Sequence, residues 1–389
     1  MQIFTTPSRI IITCHKWLSP ALQTEVTALG FQLVRTFQTG VELIGTVQDC
    51  VRLNLHLRCA SQVMYSIKTF ACNNPDELHE QLLDVPWENI LPDKGYFSVT
   101  SNVYHETIKT DLFANLRVKD AIVDRFRSVK NIRPNTGSAL TGAVIHLFWK
   151  HENAEIFIDT TGETLAKHGY RKLPGKAPML EALAAATILS TKWNQQTTFI
   201  NPMCGSGTLA IEAALIATNR VPGLLRTNYA FMHLQGYQAD QYLAERSKLD
   251  SQIQRFPAGM IVASDISALA IEVARKNAEA AGVAHLIKFV VCDFEQTPVV
   301  QGAEGIVIFN PEYGERLGDI AALEGTYARM GDFLKKQCKG YTGYVFTGNL
   351  LLAKKIRLQP SRRIEFYNAT IDCRLLEYEM YEGSRKAAH

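Results

Sequence analysis

The residues best suited to chemistry stand in FNPEYGERLG, Phe309 to Gly318, directly after the apolar run Ile306, Val307 and Ile308. An amide, a rigid imino acid and an aromatic ring follow one another at the end of what reads as a buried strand. A planar exocyclic amine is a poor nucleophile because its lone pair is delocalised into its ring. The amide oxygen of Asn310 and the carbonyl of Pro311 can accept the two protons of such an amine. That holds its nitrogen in line with an electrophilic carbon and favours the pyramidal form, while Tyr313 stacks on the base. Asn310, Pro311 and Tyr313 are therefore the catalytic candidates.

A second constellation offers the electrophile a place. In NPMCGSGT, Asn201 to Thr208, Gly205 and Gly207 follow a strand and open a helix, so the backbone can approach a ligand and the helix N-terminus offers free N–H groups. The next strand ends in Asp265 (VASDIS), where a carboxylate can accept from two ribose hydroxyls, and the one after in Asp293 (VCDFE), facing an adenine amino group. Alone, each acid reads as a helix cap and the glycine pair as a tight turn. Together, at successive strand ends, they describe an adenosine-bearing cofactor. The third glycine of the dinucleotide fingerprint is missing, which favours S-adenosylmethionine, a cofactor without a pyrophosphate. The contact set is Asn201, Pro202, Cys204, Gly205, Gly207, Thr208, Asp265, Ile266, Asp293, Phe294 and Asn310. Cys204 fits as a small apolar residue with no activating neighbour rather than as a covalent nucleophile. His168 reads as a packing or hydrogen-bonding residue. No His/Cys spacing suits a metal, and none is expected.

These residues need strand ends to stand on. From about Lys167 the pattern alternates strand and helix. PMLEALAAATILST reads as a helix starting at Pro178, TTFINPMCGSGTLAIEAALIATN as strand, turn and helix, and RRIEFYNATIDCRLLEYEMYE as a terminal hairpin. Such alternation implies a doubly wound, mostly parallel α/β sheet with ligands beyond the carboxyl ends of its strands. The first 70 residues read β-α-β-β-α-β, the order of a ferredoxin-like unit, with Ser19 and Pro20 starting a helix and Gly30 following it. A third segment, about Asn74 to Thr160, carries an amphipathic helix with Val118, Ala121, Ile122 and Phe126 on its apolar stripe and a closing hairpin. Basic residues gather there: Lys109, Arg117, Lys119, Arg125, Arg127, Lys130 and Arg133. With Arg171 and Lys172 they form the candidate RNA-binding set; the other reading is a solvated helix face.

Length and composition agree with two or three domains. The chain has 389 residues, 47% hydrophobic and 20% charged, with a net charge of +3. That small excess demands no nucleic acid by itself, but local clustering can supply one. There is no apolar run of membrane-spanning length and no secretory signal pattern, so no membrane partner is expected. Eight scattered cysteines without a CxxC pair suit reduced thiols in the cytoplasm.

The motifs taken in order resemble the bacterial THUMP-domain RNA methyltransferases of the RlmL-like 23S rRNA guanine-N2 type. The resemblance runs through NLRVKDAIVDRF, FIDTTGETLAKHGYR, GKAPMLEALAAA, NPMCGSGTLAIEAALIA, SDISALAIEVARKNAEAAGV and NPEYGERLG. It implies a ferredoxin-like domain (1–70), an RNA-binding THUMP domain (71–162) and a class I methyltransferase domain (163–389). It also implies an enzyme that transfers a methyl group from S-adenosylmethionine to guanine N2 in 23S rRNA, with Gly169, Tyr170 and Arg171 near the cofactor. Two positions depart from the family pattern: Asn201 stands where Asp is usual, and Glu312 where the Asn-Pro-Pro-Tyr motif has its second proline. They leave two alternatives, an RNA- and cofactor-binding protein with impaired catalysis, or a methyltransferase acting on another amine.

Overall fold

A computed structural model describes residues 2–106, 108, 110–173, 178–314 and 320–380. Lys109 and residues 315–319, which end the FNPEYGERLG stretch, lie outside the described residues. The chain divides into two compact units. Unit 1 comprises Met1–His15, Leu22–Ala166 and Pro222–Ser251; unit 2 comprises Lys16–Ala21, Lys167–Val221 and Gln252–His389.

The first elements are β1 Ser8–Thr13, α1 Ser19–Ala28, β2 Leu33–Phe37, β3 Gly40–Gly45, α2 Val47–His56 and β4 Gln62–Ala71. Their strands take the order β2-β3-β1-β4, all antiparallel, as the β-α-β-β-α-β reading anticipates. Ile10 and Ile12 of β1 are fully buried. Thr46 and Asp49 close a capping box on α2, satisfying two backbone donors at its start. There follow α3 Pro75–Leu83, β5 Tyr96–Tyr104, α4 Asp111–Lys130, β6 Asn135–Thr136, β7 Ala143–Lys150 and β8 Asn153–Asp159. The predicted stripe of α4, Val118, Ala121, Ile122 and Phe126, is buried. The sheet does not stop at β4. β4 pairs antiparallel with β8, and one eight-stranded sheet runs on through β7 and β5 to β6.

The remaining elements are α5 Glu181–Leu189, β9 Thr198–Pro202, α6 Thr208–Ala217, α7 Ala239–Ser251, β10 Ile261–Asp265, α8 Ala268–Ala280, β11 Ile287–Val291, β12 Gly305–Phe309, α9 Ile320–Gln337, β13 Tyr341–Thr347, α10 Leu350–Lys354, β14 Arg362–Asn368 and β15 Ile371–Glu379. α5 starts three residues later than Pro178 predicts, at Glu181. The strands of unit 2 form a sheet in the order β11-β10-β9-β12-β13-β15-β14. Neighbours are parallel from β11 to β13, and the terminal hairpin β14–β15 is antiparallel. From β9 the chain winds outward through β10 to β11, then returns to place β12 on the other side of β9. The strand order therefore reverses between β9 and β12, the position where doubly wound sheets open a ligand crevice. One core cluster joins Val307 and Phe309 of β12 to Tyr327, Met330 and Phe333 of α9. Phe294, Phe309 and Phe333 meet edge to face, with centroids 5.9 to 6.3 Å apart.

Candidate active site

The glycine loop leaves β9 at the switch point. Met203, Gly205 and Gly207 all take left-handed backbone, with φ of 55°, 55° and 81°. A Cβ on Gly207 would stand 2.8 Å from that of Ala274, so glycine there lets α6 approach α8. A Cβ on Gly205 would meet no atom within 4 Å, leaving its face of the loop open to a ligand. Asp265, at the end of β10, grips the loop: its carboxylate accepts from the Gly205 N–H at 3.0 Å and from the Ser267 N–H at 2.9 Å. The next residue, Ile266, is 73% exposed, an aliphatic surface beside the acid. An open glycine face, a carboxylate and a bare aliphatic side chain suit an adenosine-type ligand.

Other members of the predicted contact set are arranged differently from a simple contact list. Asn201 is buried; its Nδ2 donates to the Ile308 carbonyl at 3.0 Å, tying β9 to β12 across the switch point. The amide that replaces the usual acid thus acts as a donor toward a carbonyl, which a carboxylate could not do. Phe294 points its ring into the core, which removes that ring from the ligand surface. Pro202 is buried at the end of β9. Thr208 is buried, and its Oγ1 accepts from Arg171 Nη2 at 3.0 Å. Burial, then the charge of Asp265, pushes the Cys204 thiol far above its ordinary range. It stays protonated, which agrees with a packing role.

Asp293 carries a partner that the sequence reading missed. Arg329 of α9 donates to Asp293 Oδ1 at 2.7 Å and to Glu295 Oε2 at 2.6 Å, and its guanidinium lies 4.8 Å from the centroid of Phe294. Burial raises the Asp293 carboxyl, but the Arg329 bond and the Glu295 amide outweigh it, so its pKa lies below the ordinary value.

The described part of the loop after β12 is braced by side-chain hydrogen bonds. The Tyr313 hydroxyl donates to Asn310 Oδ1 at 2.9 Å, bringing the two predicted residues into direct contact. Asn349 Nδ2 donates to the Tyr313 carbonyl at 3.1 Å, and Asn368 Nδ2 reaches the Tyr313 hydroxyl at 3.4 Å. Tyr327 donates to the carbonyl of Glu312 at 3.2 Å. The side chain of Glu312 is exposed. Stiffness that a second proline would supply through its ring comes here from hydrogen bonds to the carbonyls of Glu312 and Tyr313.

His168 belongs to a buried network. His168 Nδ1 and the Tyr170 hydroxyl both stand 2.7 Å from Glu212 Oε1, and all three residues are buried. An acid inside the otherwise apolar TLAIEAALIA helix was the available signal, because a buried carboxylate requires partners. Asn277 clasps the same segment: its Oδ1 accepts from the Lys172 and Leu173 amides, and its Nδ2 donates to the carbonyls of Leu173 and Ser206. Arg171 is turned inward, bonded to the Met179 carbonyl at 2.5 Å and 3.5 Å from Glu181. Its guanidinium is committed within unit 2 rather than presented to RNA, whereas Lys172 is exposed.

The basic set of unit 1 is largely neutralised. Arg117 pairs with Asp76, Arg125 with Glu88 at 2.8 Å, Arg127 with Asp124 at 3.5 Å and Lys130 with Asp93 at 2.5 Å. Among the described residues, Lys119 and Arg133 form no ion pair.

Comparison with known proteins gives a match for each part of the chain. Residues 168–377 match the RMKL-like methyltransferase domain, 9–64 the RlmL ferredoxin-like domain and 72–159 the THUMP domain. The chain belongs to the RMKL-like methyltransferase family. A family relative, the ribosomal RNA large subunit methyltransferase K/L of Syntrophotalea carbinolica, is 34% identical over 387 residues, covering 97% of this chain and 54% of its own. The chain spans about half the length of the curated relatives it matches. Among solved structures, the putative methyltransferase SMU.472 complexed with SAH superposes with a TM-score of 0.88 at 26% identity, covering 98% of this chain and 100% of that one. A predicted N6-adenine-specific DNA methylase from Listeria monocytogenes gives 0.85 at 28% identity, covering 96% and 97%.

Proposed function

We propose that the chain transfers a methyl group from S-adenosylmethionine to the exocyclic N2 of a guanine in 23S rRNA, in the cytoplasm. The observation that carries this reading is the direct bond between Tyr313 and Asn310 at the carboxyl end of β12, beside the glycine loop at the end of β9. S-adenosylmethionine supplies a methyl group on a positively charged sulfur. In this reading Asp265 receives the ribose hydroxyls, Ile266 packs on the adenine, and Asp293, steadied by Arg329, faces the adenine amino group. Asn310 Oδ1 has a second lone pair beyond the one that the Tyr313 hydroxyl uses. Together with the Pro311 carbonyl it accepts the protons of the target amine, aligns its nitrogen and stabilises the positive charge that develops there. Tyr313 stacks on a base drawn out of its helix, because an amine inside a duplex cannot reach the donor. The names of its relatives, a large-subunit rRNA methyltransferase and a methyltransferase complexed with SAH, support the substrate and the donor.

A second base is consistent with the same chemistry. Adenine N6 is also a planar exocyclic amine, and the Listeria monocytogenes relative is named as an N6-adenine-specific DNA methylase. The deciding experiment incubates the full chain with labelled S-adenosylmethionine and unmodified 23S rRNA, then digests the product to nucleosides for mass spectrometry. N2-methylguanosine is the expected product. N6-methyladenosine would move the activity to the other base. No methylated nucleoside, together with intact cofactor binding, would favour a binding protein.

A further inference from the structure

Unit 2 carries aromatic and basic side chains along the outer edge of its sheet. β14 is the outermost strand of its sheet, and the short segment Lys16–Ala21 belongs to the same unit. Between them lies a cavity of about 430 Å³, lined by Trp17, Pro20, Ala21 and Ser190 on one side and by β14 from Arg362 to Phe366 on the other. Lys16 Nζ sits 4.6 Å from the centroid of the Tyr367 ring and 5.8 Å from that of Trp17. Trp17 takes a left-handed backbone, φ 71°, an unfavourable conformation for so bulky a residue. Such strain persists only where the surroundings hold it, and it commonly marks a functional position.

The charges around this edge leave cations available. The acids Glu365 and Asp372 both face Arg374, at 3.3 and 2.5 Å. Arg362 is half exposed and reaches Glu377 at 3.3 Å. Arg363 is exposed and forms no ion pair among the described residues; Lys16 forms none there either, although its charge helps to hold the Asp372 carboxyl below its ordinary range. The edge is also continuous with the braced loop: Asn368, next to Tyr367 at the tip of the β14–β15 hairpin, reaches the Tyr313 hydroxyl at 3.4 Å.

We propose that this edge is a track for the single-stranded RNA flanking the methylated nucleotide, with a neighbouring base stacked on Trp17 and its phosphates held by Lys16 and Arg363. The inference rests on the proposed function and names how that function engages its substrate. Aromatic rings interleaved with cations are the recurring means of holding single strands, and the open groove leaves room for a base beside them.

The test measures binding of a short, fluorescein-labelled, mixed-sequence single-stranded oligoribonucleotide to the full chain and its variants, with calorimetry of SAH as a control. Trp17→Ala is expected to weaken RNA binding about tenfold and Trp17→Phe to retain most of it, the scale of base–aromatic stacking. Lys16→Ala and Arg363→Ala are each expected to reduce the slope of log affinity against log salt by about 0.7. SAH affinity stays unchanged in all four. If Trp17→Ala lowers the melting temperature, Trp17→Phe and Arg363→Ala carry the decision. Wild-type RNA affinity and salt slope in the folded variants, with methyl transfer by the wild type intact, would overturn the track while leaving the proposed function standing, and the open β14 edge would then suit a protein strand. A wild type that binds no RNA would overturn both.

Discussion

Glu312 stands between Pro311 and Tyr313 in the proposed catalytic motif. Its side chain is exposed, and its carbonyl is held by Tyr327. Glu312→Pro should therefore change the single-turnover methylation rate only modestly. Asn310→Ala should abolish transfer with little loss of cofactor affinity, since the contacts proposed for it strengthen near the transition state. A wild type inert on every rRNA fragment, restored by Glu312→Pro, would contradict this account. Asp265 has two duties, holding Gly205 and, as proposed, the ribose. Asp265→Ala should weaken S-adenosylmethionine binding by about 1–3 kcal/mol, the scale of lost charge-assisted hydrogen bonds. Calorimetry showing equal affinity would remove that assignment.

At the scale of elements, the segment Pro222–Ser251 sits within the methyltransferase half of the sequence but folds with unit 1. Gly223 presses on α2, where an added Cβ would lie 2.3 Å from the Leu55 carbonyl oxygen. Gly223→Ala should destabilise unit 1 by about 1–3 kcal/mol, the cost of overpacking, and leave cofactor affinity intact. An unchanged melting curve would show that α2 yields. β7 offers a pH-dependent counterpart. Burial lowers the pKa of His146 from 6.5 to about 4, with the Asp111 charge opposing, and His146 Nδ1 stands 2.9 Å from Thr100 Oγ1 on β5. Between those values the unfolded chain binds the proton and the folded one does not, so stability falls as pH drops from about 6.5 to about 4. The loss is at most about 3 kcal/mol, and less because the ring keeps some contact with solvent. His146→Gln should flatten this part of the stability–pH curve relative to wild type; identical slopes would count against it.

For the whole molecule, the balance of charge is more telling than its sum. The net charge is +3, and four of the cations of the candidate RNA-binding set already have carboxylate partners. Non-specific RNA affinity should therefore be modest and should depend on Lys119, Arg133 and Lys172 more than on Arg117 or Arg125. Neutralising those three together should lower the salt slope by about two, against almost no change for the Arg117/Arg125 pair. The reverse result would mean that RNA displaces the carboxylates.

The sequence by itself determined the elements and the ends they present. The β-α-β-β-α-β order, the alternation after Lys167, the Gly205–Gly207 turn and the acids closing β10 and following β11 are local features. Each is written in consecutive residues by propensity, spacing and burial period. Only the tertiary structure decided which side chains meet. The pairing of β4 with β8, the bond from Asn201 to Ile308, the clasp of Arg329 on Asp293 and the convergence of His168 and Tyr170 on Glu212 join residues far apart in the chain. It likewise turned Arg171 and Phe294 inward. A residue's type states that a charge or an amide needs a partner. Which partner it receives depends on how strands order and helices pack, and those long-range contacts leave no period in the sequence.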